Sequence, residues 1–171
     1  DARDGFGSGK LQCGYKLHAL GDQDDRIVDF AVLPLNAGEP DTARSLTQGI
    51  PPQALVLADS NYDSSLLYQA VHERQAVLIT PLKGRARSEG RLQKMSAARR
   101  FAIELWDQHP ELCQHVQSWR DQIERIFSAL CGHGGGLSPL PAWVRRMDRV
   151  RRWVSGKVIL YNARVHTRRA C

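Results

Sequence analysis

Hydrophobic and polar positions alternate through the first fifth of the chain and then change period. In Gly14-Tyr-Lys-Leu-His-Ala-Leu20, Tyr15, Leu17 and Ala19 fall on one side and Lys16 and His18 on the other, the period-2 pattern of a half-buried strand. Asp22-Gln-Asp-Asp25 is turn chemistry, so Ile27 to Leu33 reads as the return strand of a hairpin that stops at Pro34. Asn36-Ala-Gly-Glu-Pro40 reads as a loop, with Asp41 placed to cap a helix through Leu46. Ala54-Leu-Val-Leu-Ala58 and Val77-Leu-Ile79 are short continuous apolar runs of the kind buried on both faces. Between them Ser64-Ser65 opens a helix through about Glu73, with Leu66, Leu67, Ala70 and Val71 on one face. The order strand, strand, helix, strand, helix, strand predicts an α/β arrangement with a mixed sheet flanked by helices.

The second half has helical period. The spacing predicts helices over Ala97–Trp106 and Gln114–Cys131, a Gly/Pro-rich break over Gly132–Pro141, and a long helix from Trp143 to about Arg164 interrupted near Gly156. No internal repeat is present, and the stretch Lys83–Lys94 reads as a basic loop, either a surface connection or a nucleic-acid contact.

Composition narrows the class. The 171 residues are 42% hydrophobic and 25% charged, which excludes a disordered or collagen-like chain. The net charge of +6 is unevenly spread: residues 1–84 sum to −4, 85–142 to +2 and 143–171 to +8. All the excess therefore lies in the last stretch, which is either a solvated helix face or a surface for an anionic partner. No apolar run approaches the roughly 18 residues that span a bilayer, and no export signal opens the chain, so a cytoplasmic protein is expected. The first residue is Asp1 rather than Met, as in a piece of a longer product. Cys113-x-His115 and Cys131-x-His133 have poor spacing for a tetrahedral zinc site.

Two carboxylates stand out. Asp59 ends an apolar strand, where open α/β sheets place their chemistry; the same residue could simply cap the next turn. Glu124 lies on the helix predicted from Gln114. At about 100° per residue, with Arg120 at zero, Glu124 falls near 40°, Gln117 near 60° and Cys131 near 20°. Val116, Trp119, Ile123, Ile126, Phe127 and Leu130 fall between about 240° and 340°. Arg120 and Glu124 would then border the packed face, or else form an ordinary i,i+4 surface pair.

Gly14-Tyr-Lys-Leu-His18, Val32-Leu-Pro-Leu-Asn36 with Asp41, Val56-Leu-Ala-Asp-Ser-Asn-Tyr-Asp63 and Arg120-x-x-x-Glu124-Arg-Ile-Phe127 follow one another at intervals that resemble bacterial insertion-sequence transposases of the DDE type. The resemblance runs from about residue 10 to 166, with Leu140-Pro-Ala-Trp-Val144 through Lys157-Val-Ile-Leu-Tyr-Asn162 similar to the family's C-terminal helix. It implies a ribonuclease-H-like catalytic domain over residues 10–166, truncated before its first strand, with residues 143–171 as a basic helical tail within it. It also implies cleavage and joining of transposon-end and target DNA by two divalent cations, Mg²⁺ or Mn²⁺, held by two Asp and one Glu. Asp59 matches the second acid and Glu124 the third, both as catalytic and metal-binding residues. Arg120 matches the signature arginine, and Arg145, Arg146, Arg149, Arg152 and Lys157 are the expected DNA-binding side chains of the tail.

The departures are specific. Gln117 and Cys131 stand where the signature has Tyr and Lys, so two DNA-contacting groups are absent. The first acid is expected on a strand upstream of Gly14. Asp1 and Asp4 sit in a Gly-rich segment with no strand pattern and Asp22, Asp24 and Asp25 in a hairpin turn, so none is taken as its replacement. Double-stranded DNA and a second copy of the chain are the implied partners, with location on the bacterial nucleoid. The rival functions are a non-catalytic DNA-binding remnant and a stand-alone ribonuclease-H-like nuclease.

Overall fold

The computed structural model describes residues 2–7, 10–82, 95–132, 136–137 and 139–170; the predicted basic loop at 83–94 lies outside them. The described residues form an α/β protein in two compact units, Asp1–Ala37 with Gln122–Cys171, and Gly38–Asp121. Among the described residues no helix is long and apolar enough to cross a membrane.

The first unit is built on a three-stranded antiparallel sheet ordered β1-β2-β3, with β1 Arg3–Gly7, β2 Lys10–Gly21 and β3 Ile27–Pro34. The β2–β3 hairpin is the predicted one, and its turn is held by Asp22. One carboxylate oxygen accepts from the backbone N–H groups of Asp24 and Arg26, both at 2.9 Å, while the Arg26 guanidinium bridges Asp22 and Asp24. Asp25 takes the left-handed conformation, φ 61°, which Asp tolerates better than most residues.

β1 corrects the sequence reading, which gave the segment around Asp4 no strand. Arg3 faces Gly14 and Asp4 faces Cys13 across an antiparallel ladder. Backbone pairing needs no alternating side chains, and here it needs their absence: a Cβ on Gly5 would lie 3.0 Å from the Leu35 carbonyl carbon and from its Cγ. The same glycines that hide the strand from a periodicity argument let it approach the chain beyond β3.

The apolar face of this sheet is covered by two helices, α5 Asp121–Cys131 and α6 Met147–Ala170. Ile27 and Val32 from β3, Ile126 and Leu130 from α5, and Val150, Val154 and Val158 from α6 form one buried cluster with Leu137 and Val144. α6 starts at Met147 rather than Trp143 and passes through Gly156 without interruption. Its valines recur every fourth residue, so burial of that stripe outweighs the roughly 1 kcal/mol by which Gly weakens a helix interior. The helix is pinned to the hairpin by polar contacts. The Asn162 side-chain oxygen accepts from Ile27 N–H at 3.0 Å and its amide nitrogen donates to Ile27 C=O at 2.8 Å. Tyr161 donates to the Asp25 carbonyl at 2.8 Å, and Arg169 pairs with Asp24.

The second unit holds the parallel pair β4 Leu55–Leu57 and β5 Val77–Ile79. The strand polarities expected of a mixed sheet are thus both present, in two sheets. α1 Glu39–Leu46, α2 Ser65–Glu73, α3 Ala97–Gln108 and α4 Pro110–Ser118 complete this unit. α2 is the predicted helix, capped by Ser64, which accepts from Leu67 N–H at 3.3 Å. α1 begins three residues earlier than predicted: Gly38 is the cap, Pro40 lies in the first turn, and Asp41 is helical. Proline's fixed φ suits that first turn. β4 is not buried on both faces, as Leu55 is 44% exposed; its only strand neighbour among the described residues is β5.

Two buried polar arrangements order this unit. Tyr68 Oη and Thr80 Oγ1 are 2.9 Å apart between α2 and the end of β5, and burial raises the tyrosine's pKa. Arg99 on α3 donates to Asp63 at 2.9 Å, where the aspartate side chain has no solvent exposure.

Two substitutions test these assignments. Asn162→Ala removes both hydrogen bonds to Ile27 and is expected to lower unfolding free energy by about 2 kcal/mol, read as a lower urea midpoint; an unchanged midpoint would contradict the pinning role. Arg99→Ala leaves the Asp63 carboxylate buried without its guanidinium, with an expected loss of about 3–5 kcal/mol. The double variant Arg99→Met, Asp63→Leu should recover most of that loss in the same titration.

Candidate active site and nucleic-acid surface

Asp59 stands two residues beyond β4, in extended backbone with φ −78° and ψ 174°. It is half-buried. Its Oδ1 accepts from Asn61 N–H at 2.7 Å and its carbonyl accepts from Tyr62 N–H at 3.1 Å, so it caps the single 3₁₀ turn Ser60–Tyr62. Both sequence readings of Asp59 therefore describe the same geometry: a strand-end carboxylate that also caps a turn. Its Oδ2 has no hydrogen-bond partner among the described residues.

The chain after Asp59 is held from behind. Asp63, four residues on, is fixed by Arg99, and Ser96, the cap of α3, donates to the Ser65 carbonyl at 3.3 Å. The N-termini of α2 and α3 are thereby tied to the segment that carries the acid.

Gln117 is the functional-region residue that sequence reasoning undervalued. The sequence alone marks it only as a lost DNA contact. On α4 its side-chain amide donates to the Ile79 carbonyl at 2.6 Å and lies 3.5 Å from the Ala58 carbonyl. One side chain thus reaches the ends of both parallel strands, next to Asp59. The only signal in the sequence is the residue type, since an amide can donate to backbone carbonyls and a tyrosine ring could not do so twice.

The continuous helix predicted over Gln114–Cys131 is two helices. α4 ends at Ser118, Trp119 and Arg120 form a turn, and α5 starts at Asp121. Trp119 N–H bonds the Val116 carbonyl at 3.1 Å and Arg120 N–H the Gln117 carbonyl at 3.0 Å, the tightened three-residue spacing of a helix end. The Ser118 hydroxyl donates to His115 C=O at 2.6 Å, the carbonyl that Trp119 N–H would reach if the helix continued. A single wheel therefore cannot place Arg120 and Glu124 together, and Trp119, assigned to the packed face, is 54% exposed. Arg120 and Asp59 belong to the unit Gly38–Asp121, whereas Glu124 belongs to the other, on the exposed side of α5.

The basic tail sorts into three kinds of side chain. Arg145 donates to the carbonyls of Pro141 and Val144 at 3.0 and 3.1 Å, and Arg149 donates to the Trp143 carbonyl at 3.3 Å. Lys157 lies with its ammonium 4.7 Å from the centroid of the Trp153 ring. Arg146 and Arg152 are exposed and have no side-chain partner among the described residues. Arg120 and these five tail cations are the side chains predicted to meet DNA; of the five, two are held by backbone carbonyls of the turn before α6, one rests on an aromatic ring, and two are exposed with no partner among the described residues.

Among the described residues no group of three or more His, Cys, Asp and Glu side chains is positioned to hold a metal. Cys113 is fully buried, and burial raises its thiol pKa, which keeps it neutral and a poor ligand or nucleophile. His133, its suggested zinc companion with Cys131, lies outside the described residues.

No curated protein and no solved structure matches the chain. A family model described as the transposase DDE domain matches residues 1–163. With that match covering nearly its whole length, and with the strand-end acid and the basic terminal helix already in view, the chain belongs to the transposase DDE domain family.

Proposed function

We propose that this chain is the catalytic-domain portion of a DNA transposase, with a ribonuclease-H-like core, acting in the cleavage and joining of transposon ends. The observation that carries the reading is Asp59 at the carboxyl end of a parallel strand, in a chain that belongs to the DDE family. The succession of three antiparallel strands, helix, strand, helix and parallel strand supports the core assignment.

Asp59 and Glu124 act in this reading as the second and third acids. Their carboxylate oxygens suit Mg²⁺ or Mn²⁺, which prefer hard ligands and retain several waters. A bound ion would supply a Lewis acid that stabilises charge on the reacting phosphate oxygens. The protein's own part is positional. The Asn61 bond orients one oxygen of Asp59 and leaves Oδ2 available, and Gln117 and the Arg99–Asp63 pair fix the strand ends and the turn beside it. Arg120 offers a planar fork to a phosphate. Asp4 is the residue to test as a further acid, because it lies on a strand upstream of Gly14, where the family's first acid is expected.

Arg146 and Arg152 contact phosphates of double-stranded DNA, with Arg145 and Arg149 adding charge while bracing the turn before α6. Such contacts position DNA without reading its bases. A non-catalytic DNA-binding protein is the competing reading, because only two of the family's three acids, Asp59 and Glu124, are matched by residues of this chain.

Two measurements decide. Mg²⁺-dependent nicking of plasmid DNA should be present in the unaltered chain and fall at least about a hundredfold in Asp59→Asn and in Glu124→Gln, with Asp4→Asn as a third arm. DNA binding without nicking would establish the non-catalytic reading instead, and hydrolysis with no joined product would point to a nuclease. Affinity for a duplex should fall steeply with salt, and Arg146→Gln with Arg152→Gln should reduce the log–log slope by about 2. A slope near zero would remove the tail from the DNA interface.

A further inference from the structure

We infer that Gln117 is a positioning residue that sets how tightly Asp59 holds a divalent cation, an inference that rests on the catalytic reading above. The family's signature has Tyr at this position, and this chain has an amide. The amide nitrogen carries two hydrogens. It donates to the Ile79 carbonyl at 2.6 Å and reaches the Ala58 carbonyl at 3.5 Å. The Ile79 carbonyl also accepts from Ala58 N–H at 3.2 Å. Both polar groups of Ala58 are therefore engaged, its N–H by β5 and its C=O by Gln117. That C=O and the Asp59 N–H share one planar peptide unit, so the side chain that holds the carbonyl also holds the backbone from which the Asp59 carboxylate departs.

The rest of the carboxylate is set from the other side. Beyond the backbone only the side-chain torsions of Asp59 remain, and the bond from Asn61 N–H to Oδ1 at 2.7 Å fixes them. Oδ2 is the oxygen left for a cation, and its direction is the product of two anchors, Gln117 behind and Asn61 ahead. Gln117 acts from packed surroundings: Cys113 and Val116 bury the inner side of α4, and Ile79 and Thr80 are buried at the end of β5. Without the amide, the Ala58 carbonyl loses that donor and Oδ2 must be brought into place as the ion binds, which lowers affinity. Groups that orient a ligand without touching the metal change its affinity by about ten- to a hundredfold. A tyrosine hydroxyl has one proton and cannot serve both carbonyls.

Mn²⁺ binding to the full chain without DNA, followed by electron paramagnetic resonance, tests this together with hydrogen exchange at the Asn61 amide. Asp59→Asn should remove the binding, which locates it at this acid. Gln117→Met keeps the side-chain length and removes the donors; it should weaken Mn²⁺ binding roughly tenfold and speed exchange of the Asn61 N–H. Gln117→Glu has the same shape without the donors at neutral pH, should behave alike, and carries the test should Gln117→Met not fold. Gln117→Tyr, the family's residue, should leave the affinity low. Urea unfolding establishes which variants are folded. Unchanged Mn²⁺ affinity in a folded Gln117→Met or Gln117→Glu would overturn the assignment, and so would unchanged exchange at Asn61, because a merely structural amide would lower the urea midpoint and move neither readout. Mn²⁺ binding that is absent from the unaltered chain, or that survives Asp59→Asn, would refute the catalytic reading of Asp59 and this inference with it.

Discussion

The apolar face of the β2–β3 hairpin must be covered, and the first unit is organised by that requirement. A short antiparallel sheet with one bare face is at best marginally stable in water. α5 and α6 supply the cover, through Ile126 and Leu130 on one and the valine stripe of the other. Because α6 is basic overall and follows no simple amphipathic pattern, its apolar contacts are narrow, and the polar clamp at Asn162 fixes its register against β3. The side-chain amide there satisfies both backbone groups of Ile27, as a neighbouring strand would.

In the second unit the constraint is polar. A two-stranded parallel pair leaves its strand ends short of partners, and Gln117 meets the carbonyl of Ile79 while approaching that of Ala58. The buried Arg99–Asp63 pair adds definition more than stability, since desolvating two charges offsets much of their attraction. Both features hold backbone close in sequence to Asp59, through Ala58 on one side and Asp63 on the other.

Much of this was legible in the residues. β2, β3, α2 and β5 follow from period and turn chemistry, because each has a dominant local signal: alternation around Leu17, an Asp-rich turn, a Ser cap, a short apolar run before Pro81. What escaped was set by non-local contacts. β1 is a strand because its glycines fit against Leu35. The break at Ser118 depends on which carbonyls its hydroxyl finds. The continuity of α6 through Gly156 depends on a valine stripe having a sheet to cover. Asp59 and the basic tail could be marked as candidates, whereas the roles of Gln117, Arg145 and Arg149 as backbone braces could not, because no residue pattern encodes which carbonyl a long side chain will reach.

The 24 residues of α6 give it a length of about 36 Å. That is close to one helical repeat of B-form DNA. The end that presents Trp143 and the end tied to the hairpin through Arg169 are therefore separated by a full turn of duplex, far beyond the distance at which substitutions couple directly. Because the valine stripe anchors the first half of that length and Tyr161, Asn162 and Arg169 the second, the helix is a fixed rod whose cations keep their spacing as a set.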